Sequence, residues 1–411
     1  MVRALNDLSI QSTAARPLPD ALRRAAPKRI VLLGATGSVG RSCVQVILGA
    51  GRRYETVAVA GGADGAGLAR AAIALGASFA AVADPAAYSQ LKDGVAGHGI
   101  EIAAGPMAVV EAAVRNADLV IAAIAGTSGL APTFAAIEAG RRVALANKET
   151  LVCAGHAMME AARASGAIIL PMDSEHNAIF QAMAGCDPAR IVKMTLTASG
   201  GPFREWSAQR IAAATKVEAL AHPNWAMGKK ITIDSASMMN KGLELIEAHH
   251  LFGVDAGRLD VLVHPQSIVH GMVSFVDGSV IAGMATPDMR TPIAHCLAFP
   301  DRMPSGGRAL DLAAIGSLTF EHVDYERFPA LRLATKALAA GGGATAALNS
   351  ANEVAVSAFL ADRIRFADLA QIVGATLEQM DIAGETTPPE TIAQALAIHH
   401  IARDRALALL A

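Results

Sequence analysis

Between residue 29 and about residue 150, short apolar runs rich in β-branched residues alternate with alanine-rich stretches of helical spacing. The runs at 30–33, 56–60, 79–82, 119–124 and 143–146 are short and continuously apolar, the pattern of parallel strands buried on both faces. Segments such as 65–75 and 132–139 suit the crossover helices between them. The alternation predicts an α/β fold that begins with a Rossmann-like, dinucleotide-binding domain over residues 29–150.

Beyond residue 150 the strand candidates lengthen, at 193–197, 261–264, 268–275 and 279–284. Val276-Asp277-Gly278-Ser279 separates the last two with a hairpin-like turn. These predict an α+β catalytic and connective domain over 151–310, built on a mixed or antiparallel sheet. From Phe328 the pattern is almost wholly helical, broken at Gly341-Gly342-Gly343 and Pro388-Pro389, and predicts a C-terminal helical bundle domain over 311–411.

The length of 411 residues exceeds what one hydrophobic core usually supports, in keeping with several domains. A net charge of -2 lacks the basic footprint that neutralises nucleic-acid phosphates, so nucleic acid is not an expected partner. The uncharged stretch 119–137 is interrupted by Gly126-Thr127-Ser128-Gly129 and Pro132, and reads as strand, turn and helix rather than a membrane span. Four scattered cysteines, without a Cys-x-x-Cys pair, suit a reducing cytoplasm. Residues 1–28, rich in Ala, Arg and Pro and without a secretory apolar run, are expected to form a disordered extension, an organelle transit segment being the alternative.

Gly34-Ala35-Thr36-Gly37-Ser38-Val39-Gly40 follows the first strand and opens a helix. There a glycine-rich turn lets backbone approach a pyrophosphate, and the helix start presents free N–H groups. The second strand ends at Gly61-Gly62-Ala63-Asp64, where such folds read the adenosine ribose. An acidic residue there leans toward NAD; a helix cap is the equal alternative. Asn147-Lys148-Glu149, at the end of a parallel strand, should face the nicotinamide, with the lysine placed to polarise a ketone.

Asp173-Ser174-Glu175 ends an apolar run and can aim two hard oxygen ligands the same way, suiting Mg2+ or Mn2+. Asn240 and Glu244 lie one helical turn apart with Lys241 beside them, offering a third carboxylate plus an amide and an ammonium for a phosphate. Ser199 lies in a glycine turn. Trp225, in a loop of small and polar residues, is either a lid over substrate or an anchor to the core. His264, His270 and His295 lack metal-ligand spacing and read as structural.

Seven segments occur in an order that resembles 1-deoxy-D-xylulose-5-phosphate reductoisomerase: GATGSVG, ANKET, MDSEHNAIF, LTASGGPFRE, HPNWAMGKKITIDSASMMNKGLELIEA, HPQSIVHGMV and NSANEVAVSAFL. The resemblance implies conversion of 1-deoxy-D-xylulose 5-phosphate to 2-C-methyl-D-erythritol 4-phosphate in non-mevalonate isoprenoid biosynthesis, by a homodimer inhibited by fosmidomycin. Its metal, Mg2+, Mn2+ or Co2+, would sit on Asp173, Glu175 and Glu244. Lys148, Ser174, Glu175 and His222 would meet the substrate's carbon skeleton and hydroxyls, with Lys148, Glu175 and His222 catalytic, Glu244 beside them and Trp225 on a flexible flap. Ser199, Ser235, Asn240 and Lys241 would hold the phosphate. NADPH would lie on Thr36, Gly37, Ser38, Val39, Gly62, Ala63, Asp64, Asn147, Glu149 and Gly228. Ala63-Asp64 departs from the polar pair that the family commonly uses for the 2'-phosphate. A plain metal-assisted dehydrogenase and a catalytically silent nucleotide sensor are the competing readings.

Overall fold

The computed structural model describes residues 26–225 and 227–410. Most of the N-terminal extension therefore lies outside the described residues. Lys28, the last residue assigned to it, opens the first strand.

Seven parallel strands form the first sheet: β1 (Lys28–Leu33), β2 (Tyr54–Gly61), β3 (Phe79–Val82), β4 (Glu101–Ala104), β5 (Leu119–Ala122), β6 (Arg142–Leu145) and β7 (Ile168–Pro171), in the order β4-β3-β2-β1-β5-β6-β7. Ile30, Val31, Leu32 and Leu33 have no exposed surface, because helices cover both faces. The chain winds outward from β1 to β4, then restarts at β5 on the other side of β1. That reversal opens a crevice beyond the carboxyl ends of β1 and β5. Gly34 and Gly40 shape its floor. A Cβ on Gly34 would lie 2.4 Å from Ala123 O, and one on Gly40 2.0 Å from Gly34 O.

Sequence pattern missed β4, whose Glu-Ile-Ala-Ala segment is short and partly exposed, with a single β-branched residue. It found β7 only as the apolar run before Asp173. The helix expected at 65–75 is Gly65–Leu75.

The second sheet is mixed, in the order β11-β10-β8-β9-β12, from β8 (Ile191–Ala198), β9 (Leu259–Val263), β10 (Val269–Phe275), β11 (Val280–Met284) and β12 (Glu321–His322). β10 and β11 form the anticipated hairpin, with Gly278 at φ +84° donating to Phe275 O at 3.0 Å. The helix Ser174–Ala182 lies directly on these two strands. Gly271 and Gly283 permit this, since a Cβ on either would come within 2.8 Å of Glu175 O or 2.5 Å of Ala178 Cβ.

The C-terminal helices Pro329–Ala340, Ala344–Leu360, Asp368–Ile382 and Ile392–Ala408 follow. They do not stand apart: Ala346, Ala347, Ile398 and Ala402 pack into the apolar layer that also holds Val143 of β6 and Leu130 of the helix Leu130–Glu138. No helix among the described residues is long and apolar enough to cross a membrane.

Candidate active site

The helix Lys148–Ser165 starts directly after β6, and the helix Met239–Phe252 packs against it. β7 ends at Pro171, which places Asp173 and Glu175 at the same end of the first sheet. Met238, left-handed at φ 64°, turns the chain sharply between the helices Lys229–Ala236 and Met239–Phe252. Such a conformation costs a non-glycine residue of order 1 kcal/mol, and it recurs at functional turns.

These elements bring the three expected metal carboxylates around two ammonium groups. Lys148 Nζ is paired with Asp173 and lies 3.0 Å from Glu244 Oε1. Lys241 Nζ is 3.0 Å from Glu175 Oε1 and also paired with Glu244 Oε2. Asn240 Nδ2 donates to Glu244 Oε1 at 2.5 Å, and Ser174 Oγ to Glu175 Oε2 at 2.7 Å. Asn240 and Lys241, assigned by resemblance to the phosphate end, here point into the carboxylate cluster.

Electrostatics follow from this packing. Burial opposes the charge on Lys148, but Asp173 and Glu244 outweigh it and hold its pKa well above the ordinary value. Burial likewise opposes ionisation of Glu175, yet Lys241, His270 and Lys148 prevail and keep its carboxyl far below the usual range. Asp173 is raised, because burial and neighbouring Glu244 exceed the pull of Lys148.

Two further residues belong here that sequence reasoning missed. His176 and Glu247 are fully buried, and with Asp173 they bring potential ligand atoms within 4.8 Å of one another. His176 Nε2 also lies 2.9 Å from the backbone oxygen of Glu244. The available signal was spacing: Glu247 is one turn beyond Glu244, and His176 adjoins Glu175. Burial pushes Glu247 up, while it pushes His176 down. Both are sealed behind the site, whereas the Asp173 and Glu175 side chains keep 14% and 20% exposure, so a cation shared with substrate fits the open side. Three converging carboxylates against two ammonium groups leave an all-oxygen donor set with excess negative charge, which suits a hard divalent ion.

The remaining wall is polar. Ser199 Oγ lies 3.1 Å from His222 Nε2, and a Cβ on Gly201 would be 2.9 Å from Ser235 O, so the Ser199 turn abuts Ser235. Burial holds His222 down to about 4, keeping it neutral. Its Nδ1 accepts from the Trp225 amide at 2.9 Å, and Asn224 Nδ2 ties the same loop to Pro265 O at 2.8 Å. Trp225 sits edge-on to His270, 6.3 Å between centroids. His264 and His295 are engaged with Thr319 O and Asn177. His270 bonds Ala285 O, yet it also stands beside Glu175 and Trp225.

Of the residues expected to hold the nucleotide, those of the glycine loop and of the segment after β6 lie at the carboxyl ends of the first sheet's strands. Thr36, Gly37, Ser38 and Val39 form the turn into the helix Ser38–Gly49, whose N-terminus has no side-chain cap and so leaves its first N–H groups free for an anion. Asn147 Nδ2 donates to Gly126 O at 3.0 Å, beside Glu149. Gly228 precedes the helix Lys229–Ala236. Gly62 and Ala63 follow β2, but Asp64 caps the helix Gly65–Leu75, accepting from Gly67 N at 2.7 Å. Of the two roles open to Asp64, the structure shows the cap. Arg41 reaches back over the glycine loop to Thr36 O at 2.5 Å.

A doubly wound nucleotide crevice that opens onto an acidic, lysine-lined cluster defines a nicotinamide-dependent, metal-assisted oxidoreductase class. Models of 1-deoxy-D-xylulose 5-phosphate reductoisomerase match residues 30–155, those of its C-terminal domain match 169–252, and a DXP reductoisomerase C-terminal domain matches 284–405. The chain belongs to the 1-deoxy-D-xylulose 5-phosphate reductoisomerase family. It is 54% identical to the reductoisomerase of Rhodopseudomonas palustris strain BisB18, covering 97% of this chain and 98% of that protein. It is also 54% identical to that of Bradyrhizobium sp. strain BTAi1, covering 94% and 95%. The Zymomonas mobilis enzyme in complex with NADPH superposes with a TM-score of 0.88 at 46% identity, covering 93% of this chain and 99% of that one. A DOX-P reductoisomerase in complex with NADPH, fosmidomycin and magnesium gives 0.90 at 43% identity, covering 93% and 98%.

Proposed function

We propose that this chain converts 1-deoxy-D-xylulose 5-phosphate into 2-C-methyl-D-erythritol 4-phosphate with NADPH and a divalent cation, in isoprenoid precursor biosynthesis. The observation that carries the reading is the position of Lys148, which joins the cofactor end of β6 to Asp173 and Glu244. When bound, NADPH would supply the hydride, and a divalent cation, which Asp173, Glu175 and Glu244 would hold, would supply Lewis-acid polarisation of the substrate's oxygens.

Lys148, kept charged by its partners, opposes negative charge growing on the carbonyl oxygen. Glu175, on the open side of the cluster with Ser174 and Lys241 as its partners, is the group we assign to take a proton from a substrate hydroxyl and return it. Neutral His222 orients a second hydroxyl, Ser174 meets the carbon skeleton, and Ser199, Ser235, Asn240 and Lys241 would hold the phosphate. Trp225, held between His222 and His270, closes over the substrate and excludes water. The backbone of Thr36–Val39 with Gly62, Ala63, Asn147, Glu149 and Gly228 would cradle NADPH. Asp64 is engaged as the cap of the helix Gly65–Leu75, which weakens the lean toward NAD.

Val280, Ile281 and Met284 are exposed on the unpaired outer strand β11, and a second copy of the chain would cover them. Four free cysteines suit a cytoplasmic location.

The test is incubation with 1-deoxy-D-xylulose 5-phosphate, Mg2+ or Mn2+, and either NADPH or NADH, followed by product analysis. A branched carbon chain formed with NADPH is the expected result. An unbranched alcohol would mean a plain dehydrogenase, and no turnover a silent sensor.

A further inference from the structure

The helix Lys229–Ala236 begins where the segment carrying His222, Trp225 and Gly228 ends. Its second residue, Lys230, places Nζ 3.0 Å from Glu149 Oε1 and 2.8 Å from Asp234 Oδ2. The two carboxylates are 11% and 1% exposed, so neither can exchange its counter-charge for water. Asn352 Nδ2, from the helix Ala344–Leu360, fixes Asp234 at 2.8 Å. Beside it, Glu353 accepts from Asn349 at 3.1 Å, and its Oε1 would lie 3.6 Å from a Cβ on Gly126. Gly126 O in turn receives Asn147 Nδ2.

One ammonium thus joins three regions distant in sequence: the nucleotide end of β6, the root of the flap and a C-terminal helix. Burial works against the charge on Glu149, and Lys230 outweighs it, holding the carboxyl below its ordinary value. Burial raises Glu353 above its ordinary value, against the pull of Lys230.

We propose that Lys230 is a positioning residue for the nicotinamide cofactor. By bridging Glu149 and Asp234 it holds Glu149 at the crevice and locks the flap root to the same point, so that cofactor binding and flap closure are coupled. The inference rests on the reading of Glu149 as a cofactor contact. A purely structural ion pair would add stability without linking these two events. Loss of Lys230 removes the ammonium paired directly to both Glu149 and Asp234, so the two buried carboxylates repel and one must protonate or swing away.

Equilibrium binding of NADPH, followed by its own fluorescence on the full chain without substrate, tests this in Lys230→Met, Lys230→Arg, Glu149→Gln and the double variant Lys230→Met/Glu149→Gln. Each neutralising single variant should weaken NADPH on the order of tenfold, with the double variant no weaker than the worse single. Lys230→Arg should recover most of the loss, and KM for NADPH should rise more than KM for the sugar phosphate. NADPH should slow chymotrypsin cleavage at Trp225 in the wild type and not in Lys230→Met. Lys230→Gln, which keeps a donor, serves if Lys230→Met loses its thermal transition. NADPH affinity within twofold of wild type, single effects that multiply in the double variant, or equal protection of Trp225 would each overturn the proposal. A wild-type chain that shows this coupling but yields no branched product would instead refute the reaction while leaving Lys230 in its role.

Discussion

Lys148 Nζ lies 3.0 Å from Glu244 Oε1, with side chains 6% and 2% exposed. The two residues come from different helices and are 96 positions apart. Their contact joins the nucleotide crevice to the acidic cluster, and it makes each charge depend on the other.

Glu244→Gln removes one partner from both Lys148 and Lys241. Each ammonium keeps a second carboxylate, Asp173 or Glu175, so the cost should fall at the lower end for a broken buried pair, about 3 kcal/mol. Affinity for Mg2+ should drop roughly 100-fold or more. Thermal denaturation and a metal titration of turnover measure the two effects; an unchanged metal requirement would remove Glu244 from the ligand set.

Asp64→Ala deletes the cap on the helix Gly65–Leu75 and should cost about 1 kcal/mol. Because the carboxylate is already engaged with Gly67 N, the ratio of NADPH to NADH efficiency should stay near the wild-type value. A large swing toward NADPH in the variant would show that Asp64 does face the ribose.

Two glycines of one helix should respond oppositely to alanine. A Cβ on Gly40 would strike Gly34 O at 2.0 Å, so Gly40→Ala should displace the loop, lower the melting temperature and weaken NADPH binding. Gly49 has nothing within 4 Å, and Gly49→Ala should be neutral or stabilising by up to about 1 kcal/mol. Melting curves with and without NADPH separate the fold effect from the binding effect.

Stability should fall as pH drops from about 6.5 to about 4. Burial holds His222, His250 and His295 down to about 4 against an ordinary 6.5. Across that window the unfolded chain binds protons that the folded chain refuses, so protonation favours unfolding; the loss is complete below the folded values. Melting temperature against pH should therefore decline through the window, and less steeply in His250→Gln. Parallel curves for the two proteins would exclude His250 as a source of the decline.

Several features were legible in order along the chain. Ile30–Leu33, followed by Gly34 to Gly40 and a helical stretch, encodes strand, glycine turn and helix through residues that are covalent neighbours. The strand-like runs at 268–275 and 279–284 mark β10 and β11, and Val276-Asp277-Gly278-Ser279 marks the turn between them. The same local logic put Asp173 and Glu175 at the end of an apolar run and Asn240 and Glu244 on one helix face.

Packing decided the rest. Nothing in the spacing of Asp64 selects a helix cap over a ribose contact; the choice follows from where the next helix begins. His176 and Glu247 join the cluster only because two helices press together, and Lys230 finds Glu149 only when the flap root meets the start of the helix Lys148–Ser165. Element type follows from periodicity, which neighbouring residues carry by themselves. Ion pairs between groups 81 or 96 positions apart depend on which surfaces meet, and on how completely water is excluded where they do.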